Sequence, residues 1–287
     1  IAASVIIFIF LIPYTASLYN GLSRLFGMAF SIDYSVCIII MAILTAVYVI
    51  AGGYMATAIN DFIQGIIMLF GIVLIIASVL KLNGGFTGSL DALARVTDES
   101  VSTQPGVFAS FFGPDPGGLL YVVILTSLGT WGLPQMVQKF YAIKDEKSVH
   151  TGTIISTLFA VIVAGGCYFL GGFGRLFNVD VAANGYDAII PEMLSTLSPA
   201  VMAITLILVL SASMSTLSSL VLTSSSTLTL DFIDPVILKK TDEKKNLLII
   251  RIFIAVFILI SAVIAIVQYK HNITFIAQLM GLSWGAL

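Results

Sequence analysis

The run Ser211-Ala-Ser-Met-Ser-Thr-Leu-Ser-Ser219 lies in a stretch, Met193 to Leu230, that holds no charged residue. On a helix, Ser215, Ser218 and Ser219 stand at i, i+3 and i+4, so three hydroxyl oxygens share one side. Neutral oxygens gathered in a dry helix bundle suit a hard cation such as sodium when it sheds its water. The same run has a second reading, packing: small residues let spans approach closely, and Ser and Thr bond across helices or back to their own carbonyls. Asp61, in Gly52-Gly-Tyr-Met-Ala-Thr-Ala-Ile-Asn-Asp-Phe-Ile-Gln64, is the one acid at the very edge of an apolar span. Either it caps a helix that opens there and favours that helix's positive end, or it joins the serines as the single negative charge that balances a cation.

A third group is Ser127-Leu-Gly-Thr-Trp-Gly-Leu-Pro-Gln135. Gly129, Gly132 and Pro134 in mid-span should loosen or break a helix. Broken spans are tolerated at membrane depth only against protein or a wet cavity, and transporters bind solute there. Trp131 offers an apolar face, and Ser127, Thr130 and Gln135 offer hydrogen bonds. The plainer alternative is a proline kink with Trp131 at a helix interface. Catalytic constellations are not expected. His150 and His271 fall in turns far from each other and from the serines, and no metal spacing, HExxH or GxSxG element occurs. We expect no enzyme.

The elements that must position these residues are membrane helices. Of 287 residues 59% are hydrophobic and only 10% charged, with mean hydropathy +1.08. No soluble domain of this length hides so much apolar surface, and strand-like alternation is absent. Apolar runs long enough to span predict an all-α polytopic domain over 1–287, with helices near 2–23, 35–58, 61–81, 118–140, 149–174, 198–230, 246–268 and 273–287. A loop over 82–117 should carry a short helix around Leu90–Val96. Lys139, Lys144 and Lys147 after the fourth helix, and Lys239, Lys240, Lys244, Lys245 and Arg251 after the sixth, put those turns in the cytoplasm and loop 82–117 outside. Cys37 and Cys167 lie within spans, where packing is the default role. A net charge of −2 without a basic stripe points away from nucleic acid, leaving membrane lipid and a small solute as partners. The chain starts at Ile1 inside an apolar run and stops at Leu287 inside a span, which reads as the interior of a longer protein.

At this point the motifs resemble those of the sodium/solute symporter family. Gly52-Gly53 through Asp61 and Gln64 is similar to that family's GG…A…TD..Q signature. Ser215-Thr-Leu-Ser-Ser219, followed by Ser224-Ser-Ser-Thr-Leu-Thr-Leu-Asp231, resembles its sodium-site helix. Trp131-Gly-Leu-Pro-Gln135 with Gln138-Lys139-Phe-Tyr-Ala-Ile-Lys144 resembles its gating helix and the basic turn after it. Three motifs in the right order cover nearly the whole chain.

The resemblance implies a LeuT-like fold of two inverted five-helix repeats, of which this chain carries core helices three to ten, the last incomplete. It implies sodium as the coupling ion and an integral protein of a bacterial-type plasma membrane. Ser215 and Thr216 resemble the hydroxyl pair of the conserved sodium site, whose other ligands belong to the first core helix. Asp61, Ser215, Ser218 and Ser219 resemble a second sodium site found in sialic acid members. Sodium/proline members share the Ser-Thr-Leu-Ser stretch but have Cys where Ser219 stands. For the solute, Ser127, Thr130, Trp131 and Gln135 fall on the gating helix, and Tyr14 stands where sialic acid members place an arginine, as in sodium/proline members. Lys139 stands where the family has an arginine. The function implied is sodium-coupled symport of a small organic solute, such as the amino acid proline, with two sodium ions. The reading of a different class is a symporter-like sensor domain joined to a signalling protein.

Overall fold

The computed structural model describes residues 1–141, 143–177, 179–239, 241–271, 280–281 and 283. Of the eighth expected helix, 273–287, only 280–281 and 283 are among them. The described residues are overwhelmingly helical, as the apolar runs require. Helix α1, Ala2–Phe30, extends beyond the expected end at residue 23 and so carries Arg24. It stops where Ser31 turns left-handed (φ 54) and donates its N–H to Gly27 O.

Helix α2, Tyr34–Leu82, is two helices end to end. Its start is fixed by Asp33, whose Oδ1 accepts the N–H groups of Ser35 and Val36 at 2.9 and 3.3 Å, a capping arrangement. The interruption lies at Gly53, with φ 59 and ψ −168, which is a region open essentially to glycine alone. This corrects the expected boundary between 58 and 61. The second half of α2 begins at Met55, so Asp61 lies well inside a helix and is not its cap.

Helix α3, Gly85–Ala94, occupies the loop a little earlier than the expected Leu90–Val96. The expected 118–140 helix is in fact α4, Pro116–Leu128, and α5, Pro134–Phe140. The chain leaves the helix between Leu128 and Pro134. There Gly129 and Gly132 lower helix propensity, and Pro134, lacking an N–H, takes the first helical position that tolerates it. Helix α6, Glu146–Gly172, is capped by Asp145, which accepts Ser148 N–H at 2.8 Å. Two short helices follow, α7 (Val181–Asn184) and α8 (Ile189–Ser195). Then come α9, Pro199–Leu228, which continues as a π-helix over Thr229–Leu238, and α10, Glu243–His271.

Among the described residues, six stretches are long and apolar enough to cross a membrane: Ala2–Phe30, Tyr34–Gly53, Met55–Leu82, Glu146–Leu176, Pro199–Leu238 and Glu243–Tyr269. The break before Pro134 is what leaves α4 short of that length.

The described residues divide into two compact units. One comprises 1–65, 129–142 and 209–287. Its dry core joins Leu11, Tyr19 and Leu22 of α1 and Ile38 and Val49 of α2 to Leu217, Leu220 and Val221 of α9 and Ile254, Phe257 and Ala265 of α10. Phe8 meets Phe253 and Phe257 edge-on at 5.9 and 5.5 Å, a favoured aromatic arrangement. The other unit comprises 66–128 and 143–208. In it, Gly166 lets α6 lie close to α2, because a Cβ there would sit 2.9 Å from Ile72 Cγ1. Arg175 donates to Asp98 Oδ2 at 3.0 Å and stacks over Phe108 at 4.1 Å, holding the loop before α4.

The Ser100 hydroxyl, and after it the Arg175 guanidinium, hold the Asp98 carboxyl below the usual carboxylate range. Its contribution is therefore present above the unfolded carboxylate pKa and is lost as pH falls through the lower folded value.

Gly53→Ala places a Cβ on a backbone that L residues avoid, at a cost of about 1–3 kcal/mol. We expect a lower thermal midpoint of the full-length protein in detergent; an unchanged midpoint contradicts the break at Gly53.

Candidate functional site

The second half of α2 is amphipathic in the inverted sense at its start. Thr57, Asp61 and Gln64, at i, i+4 and i+7, are the shielded positions, while Met55, Ile59, Phe62 and Ile63 are exposed. That is the pattern of a span that turns its polar stripe to protein and its apolar face to lipid. The Asp61 side chain is 20% exposed. Its Oδ2 lies 3.5 Å from Lys139 Nζ at the end of α5, and the Ser215 hydroxyl of α9 is beside the same carboxylate. Its Oδ1 is shielded and has no hydrogen-bond partner among the described residues.

Helix α9 supplies the opposite wall because it has two faces. Leu217, Leu220 and Val221 are fully buried in the core of their unit, and this fixes the rotation that turns Ser215, Ser219 and Thr223 the other way. Ser218 and Ser219 both donate to Ser215 O, at 2.9 and 3.1 Å. Thr216 donates to Ala212 O at 3.1 Å. A hydroxyl whose hydrogen is held by its own helix keeps its oxygen lone pairs available. These oxygens are therefore fixed as acceptors, which is what a cation needs from them. Back-bonding and cation binding, posed as rival readings of the serines, are compatible.

Helix α5 closes the site. Gln138 accepts the Thr223 hydroxyl at 2.6 Å and donates to Ser226 at 3.5 Å, fastening α5 to α9. Gln135, one turn earlier, is only 3% exposed, and neither of its amide atoms has a partner among the described residues. Gln135, Gln138, Lys139, Thr57, Ala58, Asp61, Ser219, Leu222 and Thr223 line one cavity of ≈ 230 Å³. Asp61 is the only acid among them. Tyr48 OH donates to Met214 O at 2.6 Å, joining the first half of α2 to α9 just before Ser215.

A shielded carboxylate oxygen and a shielded amide without partners are costly in a protein interior, at about 1–3 kcal/mol or more each. A cation met by Asp61, Ser215, Ser218, Ser219 and a neutral amide oxygen relieves both, so the residues present fit a sodium ion. What the arrangement offers chemically is one carboxylate with hydroxyl and amide oxygens near it, a set suited to a hard cation.

Of the residues singled out in the sequence, Asp61, Ser215 and Ser219 are brought together around this carboxylate, with Ser218 on the adjoining turn and fully buried. Thr216 is the next residue of α9, turned about 100° from Ser215, with its hydroxyl bonded to Ala212 O. Of the solute candidates, Gln135 lines the cavity, Trp131 is 75% exposed, and Thr130 stands in the interruption before α5. Tyr14 is packed against the core that includes α1, and Ser127 is exposed in α4. Sequence reasoning overlooked Thr57 and Tyr48 and left Gln138 and Lys139 without roles at the ion site. The available signal was spacing: Thr57 is one turn before Asp61, and Gln138 and Lys139 follow Gln135 by i+3 and i+4.

Comparison with known proteins identifies the family. The family model described as the sodium:solute symporter family matches residues 1–287. A sodium/proline symporter of Staphylococcus aureus is 30% identical over 99% of this chain and 54% of its own. A sodium/pantothenate symporter of Escherichia coli is 29% identical over 74% of this chain and 43% of its own. The chain thus spans about half the length of the curated relatives it matches. Among solved structures, a Na+-coupled sialic acid symporter in a substrate-bound outward-open state superposes with TM-score 0.71 at 18% identity, covering 99% of this chain and 61% of that one. The fold is LeuT-like, as the resemblance implied.

Tyr48→Phe removes the bond to Met214 O, worth about 0.5–1.5 kcal/mol net. The expected result is a modest fall in thermal midpoint with sodium affinity reduced less than by loss of Asp61; a larger loss of sodium affinity than Asp61→Asn causes is the contrary result.

Proposed function

This chain belongs to the sodium:solute symporter family, and from that premise we propose that the protein of which it is part is a sodium-coupled symporter of a small organic solute, an amino acid such as proline in the first instance. It is an integral membrane protein of a family of transporters rather than enzymes. The observation that carries the reading is the Asp61 carboxylate, partly shielded within a span, with the Ser215 hydroxyl beside it and Ser219 lining the same cavity. Relatives named for proline and pantothenate support a small organic solute.

Two sodium ions act per solute. Asp61, Ser215, Ser218 and Ser219 hold one, and Ser215 with Thr216 holds the other. Ser215 serves both, because Thr216 is turned about 100° from it on the helix. The solute is met by Gln135, Trp131, Thr130 and Tyr14, and the cycle runs by alternating access in a plasma membrane of bacterial type. Each charge moved contributes about 2.3 kcal/mol per 100 mV. Two ions with a neutral solute supply about 4.6, enough for accumulation on the order of a thousandfold, at about 1.4 kcal/mol per tenfold step.

Sodium-driven current in proteoliposomes of the full-length protein, over amino acids and small carboxylates, tests symport. A solute that evokes current only with sodium is expected; a protein that binds sodium yet passes no current with any solute fits a sensor instead. A charge-to-solute ratio of two is expected for a neutral solute, and a ratio of one removes the second ion. Asp61→Asn should weaken sodium activation by at least tenfold. Ser219→Cys should leave activation in place but lower its Hill coefficient toward one, and unchanged steepness tells against Ser219 as a ligand.

A further inference from the structure

The Asp61 cavity contains its own cation. Lys139 Nζ stands 3.5 Å from Asp61 Oδ2, on the same carboxylate whose other oxygen, Oδ1, would take a sodium ion. We infer that Lys139 is a tethered competitor of sodium: its ammonium occupies Asp61 when the ion leaves, and sodium entry evicts it. The inference rests on the reading of Asp61, Ser215, Ser218 and Ser219 as a sodium site.

Charge makes the two occupants exclusive. Asp61 is the only acid lining the cavity, so either cation alone neutralises it, whereas both together leave an uncompensated positive charge in a partly shielded site. Exposure makes the exchange feasible. The Asp61 side chain is 20% exposed and stays in the wall, while the Lys139 side chain is 49% exposed. A compact ammonium on a flexible four-carbon stem can swing into water and regain full hydration without a change of backbone.

Coordination adds a second difference. An ammonium bonds oxygens only along its three N–H directions, whereas a sodium ion takes neutral oxygens from any direction. Gln135 shares a helix face with Lys139, four residues away, and its shielded Oε1 is without a partner among the described residues while the lysine holds Asp61. That oxygen is available to the incoming ion.

The exchange has a mechanical consequence. Gln138 fastens α5 to α9 through Thr223 and Ser226, and these bonds do not involve the ion. The Lys139–Asp61 pair fastens α5 to α2. Sodium binding therefore breaks only the link to α2, and sodium release restores it. Ion occupancy thereby decides whether α5, the short helix after the interruption, is tied on one side or on two. This lies at the end of the molecule that the Lys and Arg count assigns to the cytoplasm.

The test uses purified full-length protein and reads sodium binding, by thermal stabilisation and by equilibrium uptake of labelled sodium, without transport. Lys139→Met should lower the sodium concentration for half-saturation by about five- to thirtyfold. Lys139→Arg, which keeps the competitor, should stay within about threefold of the parent. In an Asp61→Asn background, Lys139→Met should have no further effect on sodium binding. If Lys139→Met leaves half-saturation unchanged or raises it while Asp61→Asn weakens binding, the competitor is refuted and the sodium site stands. If Asp61→Asn leaves sodium binding intact, the site reading falls and the inference with it. A second measurement needs no variant: the rate at which an amine-reactive reagent labels Lys139 should rise several-fold in sodium over the same concentration of choline. An equal rate in both salts refutes eviction.

Discussion

A carboxylate inside a membrane span is the constraint on which the rest of this structure depends. Asp61 lies beyond the first turn of the second half of α2, where it gains neither the free N–H groups nor the positive end of a helix. Its charge must then be met by other chain segments. The structure meets it from two sides: the α5 lysine, and the serine face of α9. Neither partner is close to it in sequence. The α2 stripe of Thr57, Asp61 and Gln64 turns inward for the same reason, leaving apolar side chains for the lipid. The inverted amphipathicity follows from where the charge has to go.

Placing the serines opposite that charge is the work of apolar packing. Leu217, Leu220 and Val221 lock α9 against α1, α2 and α10, and a helix locked on one face has no freedom to rotate the other. The Ser218 and Ser219 hydroxyls are then committed as acceptors, because their hydrogens bond the carbonyl one turn back. Hydrogen bonds within a helix, usually counted as mere satisfaction of polar groups, here decide the polarity of a site. The same economy holds at the interruptions. Gly53 permits α2 to change course before Asp61, and the stretch ahead of Pro134 frees α5 to approach as a separate short helix.

The resulting site suits reversible ion binding more than permanent structure. A buried ion pair sealed from water costs much to make and much to break. This pair is partly open on the lysine side, so its two states differ by less, and an ion from solution can compete. A coupled carrier requires such a balance, since an ion bound too firmly is never released on the second side.

Much of this was legible in the sequence, for definite reasons. Hydropathy is a property of consecutive residues, so the spans could be read from runs such as 252–269. The weakness at Gly129, Gly132 and Pro134 is a local backbone property, so the interruption of the fourth span was also visible. Hydroxyls at i, i+3 and i+4 declare a common side on any helix. The motif order Gly52–Gln64, Trp131–Lys144 and Ser215–Asp231 carried the family. What the chain could not declare locally was where α2 breaks. Gly52 and Gly53 stood in plain view, but an apolar run continues across them, and hydropathy does not register φ. The misplaced boundary made Asp61 look like a possible cap. Nor could sequence say that Lys139, rather than solvent, neutralises Asp61, or that Gln135 and Gln138 of one short helix have different tasks. Those facts depend on how helices far apart in sequence are rotated against one another, and that rotation is set by the packing of Leu217, Leu220 and Val221, which only the tertiary structure decides.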